Sequence, residues 1–521
     1  MTKRVNFSSD WLILFVVIIA SLTTTIIMNL NHVDDGVNKV EGTISADNGD
    51  QKINWDRYRT TNVVLDQTLE IKESGIYHLT GNLSDGLINI SVGDEGVVKL
   101  ILDNASITNS NGPAIACYSA DDLVIELIGE NNIKDSANYS TDLDEDVKGA
   151  IYSKADLTFS GDGKLIIEAN HEDGIVSKDD LKIAGGVYQI AAKDDGIRGK
   201  DSVYITDGIF NIEAESDTIK STNETDDGKG FVLIENGEFN LTASAKGIKA
   251  INSILIHGGI FEIDSYDDAI HSNNYIGING GDIKISSGDD GIHADRELII
   301  DGGDISISKS YEGLEAQKIT ISSGEIAITS SDDGINAGGG SDGSANNRPG
   351  AGAFDVDENC EITIGGGNIT INASGDGIDS NGAIHFNDGK VIVDGPTNNG
   401  NGALDVGSEA YINGGEIVAV GSSGMAVALS SNSSVFNLSV YFSSTYEAGT
   451  TLTIKDSTNQ TIISHTSRKP FSHATIGSDK FALDKTYTIY INDSIYQTFT
   501  ISDITTTLGK NQNNFNNNFR R

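Results

Sequence analysis

Pairs of acidic residues followed by a small residue and Ile recur along the middle of the chain. The stretch "DDGIHADRELIIDGGDISIS" begins at Asp289, and "DDAIHSNNYIGINGGDIKIS" begins 22 residues earlier, at Asp267. Ca²⁺ takes about six to eight oxygen ligands and favours carboxylates, so repeated acid pairs indicate calcium binding. The predicted metal ligands are Asp194, Asp195, Asp217, Asp226, Asp227, Asp267, Asp268, Asp289 and Asp290.

The acids align in a column when the chain is divided at its repeat. The aligned residues are Asp173, Asp195, Asp217, Lys246, Asp268, Asp290, Glu312, Asp333 and Asp376. If each repeat is one coil, neighbouring carboxylates stand ~4.8 Å apart and repel by roughly 1 kcal/mol in water. Such a ladder needs protonation, cationic neighbours or bound Ca²⁺. Because Asp is also a common turn residue, a purely structural ladder is the competing interpretation.

A second column lies three residues further along each repeat. It contains Arg198, Lys220, Lys249, His271 and His293, followed by Glu315, Asn336, Asp379 and Asp405. Its basic members would neutralise the acids in the structural interpretation. His271 and His293 would either bind a transition metal or stack as polar side chains.

An insertion of seven residues interrupts the repeat in "SDTIKSTNETDDGKG", residues 216–230. Insertions at one corner of a solenoid usually form its binding face. We therefore expect Glu224, Asp226 and Asp227 to lie beside Asp217. The Gly-rich loop at 338–352 is expected at the same corner, three to four coils later.

The other half of each repeat predicts buried strands. Blocks such as "GGIFEIDS" (258–265) and "GGDIKISS" (280–287) alternate apolar and polar residues and show no helical period. A 22-residue unit of short strands is one coil of a parallel β-helix, with Gly at corners that require positive φ. The period excludes a nine-residue calcium β-roll. The predicted fold is therefore all-β, with a parallel β-helix over 56–430.

The two ends of the chain differ from the repeat. Residues 431–508 are expected to form a small antiparallel β-domain covering the open end of the helix, and 509–521 a disordered Asn-rich tail. The apolar stretch 11–30 is long enough to span a bilayer, and Lys3 and Arg4 place residues 1–10 in the cytoplasm. Residues 31–55 would be a linker. The remainder is then extracellular, either anchored at the cell surface or secreted after cleavage.

Composition excludes several classes of partner. The formal net charge is −41, which disfavours nucleic acid and anionic lipid. It also disfavours acidic polysaccharides unless a divalent cation lies between the two. Cys117 and Cys360 are too few for a disulfide framework.

The motifs resemble one known family. "DDGIRGKDSVYITDGIFNIEAESDTIKSTNETDDGKGFVLIENGEFNLTA" and the Gly-rich loop after "SDDGINAGGG" resemble the microbial extracellular carbohydrate-binding domain-containing proteins, over roughly residues 60–510. The resemblance implies a right-handed parallel β-helix like that of polysaccharide lyases, calcium binding, and a link to cellulose and pectin. It also implies calcium at the corner of Asp194, Asp195 and Asp217.

Two main functions follow from these observations. The first is a surface protein that binds pectin, polygalacturonate or cellulose with Ca²⁺ assistance, with Tyr266, Tyr311, Lys220 and Lys249 as carbohydrate-binding residues. The second is a pectate-lyase-like enzyme, which would need a base of lowered pKa beside calcium. Lys220, Lys249 or Arg198 would be that base. Binding is favoured because a fold alone does not confer activity; an adhesin or structural stalk is a third interpretation.

Overall fold

Short strands wind into a β-solenoid of about 15 turns, three strands to a turn. The computed structural model describes residues 53–338 and 356–510. The expected cytoplasmic segment, membrane anchor, nearly all of the linker, most of the Gly-rich loop and nearly all of the Asn-rich tail lie outside these residues. No helix within the described ranges is long and apolar enough to cross a membrane. The all-β parallel solenoid is confirmed.

The three strands of a turn define three faces of the solenoid. Strands on face 1 only are β1 Thr60–Leu65, β7 Asp122–Ile128, β10 Asp156–Gly161, β17 Phe231–Ile234, β20 Ser253–Ile256, β23 Tyr275–Ile278, β30 Glu361–Ile364, β33 Ala383–Phe386 and β36 Ala410–Ile412. Four strands run from face 1 onto face 2: β3 Gly75–Leu83, β5 Val97–Thr108, β13 Asp180–Ala192 and β15 Ser202–Ala214.

Faces 2 and 3 complete each turn. Strands on face 2 only are β8 Glu130–Lys134, β11 Lys164–Ala169, β18 Glu238–Ala243, β21 Ile260–Ser265, β24 Asp282–Ser287, β26 Asp304–Lys309, β28 Glu325–Ser330, β31 Asn368–Ala373, β34 Lys390–Asp394 and β37 Glu416–Gly421. Strands on face 3 only are β2 Leu69–Ile71, β4 Ile88–Ser91, β6 Ile115–Ser119, β9 Gly149–Ser153, β12 Asp173–Ser177, β14 Ile197–Gly199, β16 Ile219–Ser221, β19 Ile248–Ala250, β22 Ile270–Ser272, β29 Ile335–Ala337, β32 Ile378–Ser380 and β35 Leu404–Val406. Two strands run from face 3 onto face 1 of the next turn: β25 Ile292–Ile300 and β27 Leu314–Ile321.

Alternating side chains fill the bore of the solenoid. In β18 the residues are exposed and buried in strict alternation, as the period of two in its sequence predicts. The strands pair in parallel and in register, so identical positions of successive turns stack; Phe239, for example, lies opposite Phe261. The resulting core contains a run of stacked rings in which Phe210, Phe239 and Phe261 have centroids 4.8 and 4.5 Å apart.

Each corner of the solenoid has its own chemistry. The glycine corner, between faces 1 and 2, carries the predicted Gly column, and Gly208 has φ 146°, which side chains rarely adopt. The acid corner, between faces 2 and 3, carries the acidic column. The insertion corner, between faces 3 and 1, carries residues 222–230. Cys117 and Cys360 are both buried and unpaired.

The last residues extend the solenoid with antiparallel strands. These are β38 Asn437–Tyr446, β39 Thr451–Asp456, β40 Thr461–Thr466, β41 Phe471–Ser478, β42 Thr486–Ile491, β43 Ser494–Thr500 and β44 Thr505–Leu508. β41 pairs antiparallel with β37, the last strand of face 2, and thereby continues the solenoid sheet. β39, β40, β42 and β43 form a separate antiparallel sheet, whereas β38 and β44 pair in parallel. A single 3₁₀ turn, Trp55–Arg57, precedes β1.

Candidate functional site

The acidic column lies at the acid corner and is a hydrogen-bonded ladder. The backbone N–H of Asp195 donates to Oδ1 of Asp173 (3.0 Å), and that of Asp217 donates to Oδ1 of Asp195 (3.2 Å). The same bond joins Glu312 to Asp290 (3.0 Å) further along the solenoid. One oxygen of each of these carboxylates therefore accepts a hydrogen bond from the backbone of the next turn. This is the structural role that the sequence analysis gave as the competing interpretation.

Basic side chains neutralise the second oxygens in the first half of the ladder. Arg198 pairs with Asp173. Nζ of Lys220 lies 3.2 Å from Oδ2 of Asp195 and 2.9 Å from Oδ2 of Asp217. Burial opposes the charge of Lys220, but the two carboxylates together raise its pKa. The charges of Asp195 and Asp217 are thus compensated by Lys220.

Lys246 occupies the one basic position of the acidic column. Its Nζ lies 2.8 Å from Oδ1 of Asp267 and 2.5 Å from Oδ2 of Asp268. The predicted ligand Asp289 lies close enough to both carboxylates for the three to share an ion. In this coil the ammonium of Lys246 therefore compensates the charges of Asp267 and Asp268.

The second column is confirmed in full by strand register. Arg198 lies opposite Lys220, Lys220 opposite Lys249, Lys249 opposite His271, and His271 opposite His293. The column continues through Glu315, Asn336, Asp379 and Asp405. Lys249 forms no ion pair with any residue in 53–338 or 356–510.

The second half of the ladder has acids without basic partners. In the described part of the chain, no Lys, Arg or His forms an ion pair with the half-buried Asp332, Asp333, Asp376, Asp379 or Asp405. Burial and neighbouring carboxylates raise the pKa of Asp333 to about 8 and that of Asp376 to about 7. A Cβ on Gly375 would lie 2.2 and 2.3 Å from Oδ1 of Asp332 and Asp333, so only Gly leaves room for this approach.

This C-terminal acid cluster, Asp332, Asp333, Asp376, Asp379 and Asp405, was absent from the predicted metal ligands. Four of its members, all except Asp332, were visible in the two aligned columns. The prediction named doubled acids of earlier coils and omitted the equally doubled Asp332 and Asp333. Within the described residues, this cluster is therefore acidic without a basic partner.

The insertion adds its acids at a different corner from the one expected. Asp226 accepts a hydrogen bond from Nδ2 of Asn223 (2.9 Å), which also donates to Oδ1 of Asp201 (2.6 Å). Asp201 follows β14 at the insertion corner, whereas Asp217 precedes β16 at the acid corner. Asp226 and the adjacent Asp227 therefore do not join Asp194, Asp195 and Asp217, because a face-3 strand separates the two corners.

The two predicted aromatic residues lie at the acid corner and are exposed. Tyr266 is 81% exposed and Tyr311 is 48% exposed. A hydrogen bond to Asp332 and burial raise the pKa of Tyr311, so this ring borders the C-terminal acid cluster.

A shallow groove of about 410 Å³, the axial groove, lies across successive turns of the solenoid. It crosses the turns of β11, β13, β15 and β18 at the end of face 2, beside the acid corner, and Lys193, Glu215 and Ser244 line it. Backbone bonds from Ser244 to Ala214 and from Tyr266 to Ala243 show that Tyr266 is the next residue of this row. Tyr266 therefore lies one turn beyond Ser244, at the end of the axial groove.

Comparison with known proteins identifies the family. Residues 65–334, just over half of the chain, match the family model of the carbohydrate-binding domain-containing proteins. The chain belongs to this family. A carbohydrate-binding domain-containing protein of Acetivibrio thermocellus is 35% identical over 133 residues, which are 25% of this chain and 46% of that relative. The match thus spans about half the length of the curated relative.

A solved structure is also similar in sequence. It is the polysaccharide lyase-like protein from C. thermocellum, studied as a gadolinium derivative, with 29% identity and a TM-score of 0.39. The similarity covers 46% of this chain and 96% of that chain. Family membership gives carbohydrate as the class of ligand.

Proposed function

We propose that this protein binds an acidic polysaccharide of the polygalacturonate type, with Ca²⁺ between the uronate carboxylates and the C-terminal acid cluster. The observation that carries the proposal is the contrast between the two halves of the ladder. Arg198, Lys220 and Lys246 neutralise the first half, whereas no ion pair compensates the C-terminal acid cluster within the described residues. A dication supplies the missing charge.

The charges of both partners make a bridging ion necessary. The chain carries a net charge of −41, so a polyanionic sugar is repelled unless cations intervene. Ca²⁺ accepts about six to eight oxygen ligands, so a site with protein carboxylates on one side has coordination positions left for uronate oxygens. The ion would therefore link protein and sugar.

The axial groove, Tyr266 and Tyr311 supply contacts with the neutral part of the sugar chain. The two tyrosines are two coils apart, or about 10 Å along the axis. A chain lying along the groove would pass Tyr266 and then reach Tyr311 beside the acid cluster. Lys249, which has no ion-pair partner in the part of the chain that the structure describes, would bind a uronate carboxylate directly. Lys220 is less suited to this role because two aspartates hold it.

Cellulose is the less supported ligand. Flat crystalline surfaces favour rows of exposed aromatic rings, and Trp55, the one described tryptophan, lies at the start of the solenoid in contact with Tyr58. It is far in sequence from the groove and the acid corner. The two exposed tyrosines alone form a short platform.

A lyase reaction is the second candidate, and we propose Lys249 as its base. Arg198 is paired with Asp173, and the raised pKa of Lys220 opposes proton abstraction. If the chain is a lyase, polygalacturonate with Ca²⁺ gives unsaturated products that absorb in the ultraviolet, and Lys249→Ala abolishes them. Binding without product, lost on the same substitution, supports the binding function.

The proposed site is tested by neutralising the acid cluster. We expect the double variant Asp376→Asn/Asp379→Asn of the full-length chain to weaken Ca²⁺-dependent polygalacturonate binding at least about tenfold, since two ligand charges are lost. The matched control is Asp264→Asn, which removes an exposed face-2 carboxylate. Equal affinity of the double variant and the control would exclude the cluster as the calcium site.

Cell-surface attachment through residues 11–30 is part of the proposal. Fractionation of the producing cells should place the full-length chain in the membrane fraction, with the solenoid accessible to added protease. Recovery of the intact chain in the culture medium would contradict attachment.

A further inference from the structure

A buried group of mixed ligands lies where the second column changes from basic to acidic. Asp290, His293 and Glu315 are all buried, and their ligand atoms lie within 4.8 Å of one another. Nδ1 of His293 is 3.5 Å from Oδ2 of Asp290 and 3.5 Å from Oε2 of Glu315. Oδ1 of Asp290 already accepts the N–H of Glu312, and Oδ2 is the oxygen that faces His293.

His293 is not satisfied by the protein around it. The side chain is 3% exposed, and its Nε2 has no hydrogen-bond partner; the nearest acid there is Asp295, with Oδ1 at 3.7 Å. On the other side of the ring, Nδ1 faces three carboxylates, Asp290 and Glu315 at 3.5 Å and Asp268 at 3.7 Å, all farther than an ordinary hydrogen bond. Nδ1 is therefore the ring nitrogen directed at Asp290 and Glu315, whereas Nε2 points the other way, towards Asp295.

We propose that Asp290, His293 and Glu315 bind a divalent transition metal of the zinc class. This site is independent of the calcium cluster formed by Asp332 and its neighbours. One imidazole nitrogen and two carboxylate oxygens are a ligand set that Zn²⁺ takes, and water would complete the coordination.

The spacing of the three ligand atoms agrees with one shared ion. Zn²⁺ bonds of about 2.0–2.1 Å place neighbouring ligands of a tetrahedron about 3.4 Å apart. The two distances from Nδ1 of His293 are 3.5 Å. Ca²⁺ fits less well because it favours oxygen ligands and larger coordination numbers, whereas imidazole suits zinc and related metals.

The neighbouring triad of Asp268, His271 and His293 is the weaker alternative. Oδ2 of Asp268 already lies 2.5 Å from Nζ of Lys246 and 2.8 Å from Nδ1 of His271. The two imidazoles meet edge to face, with centroids 4.9 Å apart. Asp268 therefore has its partners, whereas Asp290 and Glu315 share only His293 among the described bases.

Titration of the full-length chain with Zn²⁺, after treatment with a chelator, tests the proposal. We expect one Zn²⁺ per chain in calorimetry in the presence of excess Ca²⁺, and a visible spectrum of low-coordinate Co²⁺ when Co²⁺ replaces it. Glu315→Gln should weaken Zn²⁺ binding at least about 100-fold, because loss of even an indirect partner of a metal ligand typically costs about 10–100-fold. His293→Gln should abolish the Co²⁺ spectrum.

Two controls separate loss of the metal from loss of the fold. Glu315→Gln removes a charge from a crowded acidic site, so its melting temperature in chelator should equal or exceed that of the parent chain. His257→Gln removes a histidine paired with Glu235 elsewhere on the solenoid and should leave Zn²⁺ affinity unchanged. Unchanged Zn²⁺ affinity in Glu315→Gln overturns the proposal, as does an equal loss in His271→Gln, which would move the site to the other triad.

Discussion

Lys246 provides the most direct test of how the ladder is neutralised. Its side chain is 15% exposed and lies between Asp267 and Asp268, the latter buried. Lys246→Met keeps the apolar length of the side chain and removes its charge. Removing one partner of a buried ion pair typically costs about 3–5 kcal/mol. We expect the lower end, about 3 kcal/mol, because His271 still contacts Asp268 at 2.8 Å.

The assay is urea unfolding of the full-length chain in the presence of chelator, monitored by far-ultraviolet circular dichroism. The matched control is Lys193→Met, which breaks an exposed pair with Glu215 and should cost less than about 1 kcal/mol. Calcium should restore part of the loss in Lys246→Met, because Asp267, Asp268 and Asp289 then form an open cation site. At about 100 times its Kd, an ion adds about 2.7 kcal/mol. Equal losses in the two variants, or no rescue by calcium, would refute this reasoning.

Three further predictions concern other parts of the fold. Burial lowers the pKa of His473 to about 3, so the unfolded chain binds a proton that the folded chain excludes. Stability should therefore fall by about 1.4 kcal/mol per pH unit as pH drops from about 6 towards 4, and His473→Asn should reduce that slope in urea titrations. Gly208→Ala should lower the melting temperature more than Gly228→Ala, because a Cβ at Gly208 meets a phenylalanine ring at 2.8 Å and one at Gly228 meets nothing within 4 Å. Asp394→Ala should cost about 3–5 kcal/mol and expose the C-terminal strands to limited proteolysis, since this buried carboxylate lies 2.8 Å from Nε2 of His465; unchanged protease resistance would contradict that role.

The repeat alone was sufficient to predict the solenoid and its columns. A period of 22 residues fixes which residues stack, so the pairs His271–His293 and His293–Glu315 follow from counting. The Gly column likewise marks a corner, because few other residues adopt the φ that Gly208 has.

The sequence did not predict at which corner each acidic residue lies, because this depends on the path of the chain between the columns. Asp217 and Asp226 are close in sequence, yet β16 carries the chain from one corner to another between them. The reach of side chains was also unpredictable: Lys246 appeared as an interruption of the acidic column, whereas its Nζ joins two carboxylates. Asp376 stands out because no basic side chain in the described part of the chain pairs with it. This is visible only from side-chain positions.

The central claim is that calcium joins this acidic protein to an acidic polysaccharide. The measurement is the affinity of the full-length chain for polygalacturonate, with Ca²⁺ and with chelator, beside the same polymer after methyl esterification. The account predicts strong binding only to the unesterified polymer with Ca²⁺ present, because esterification removes the charge that the ion bridges and leaves the sugar shape nearly unchanged. Binding that persists in chelator and on the esterified polymer would contradict the account and would assign recognition to Tyr266 and Tyr311 alone.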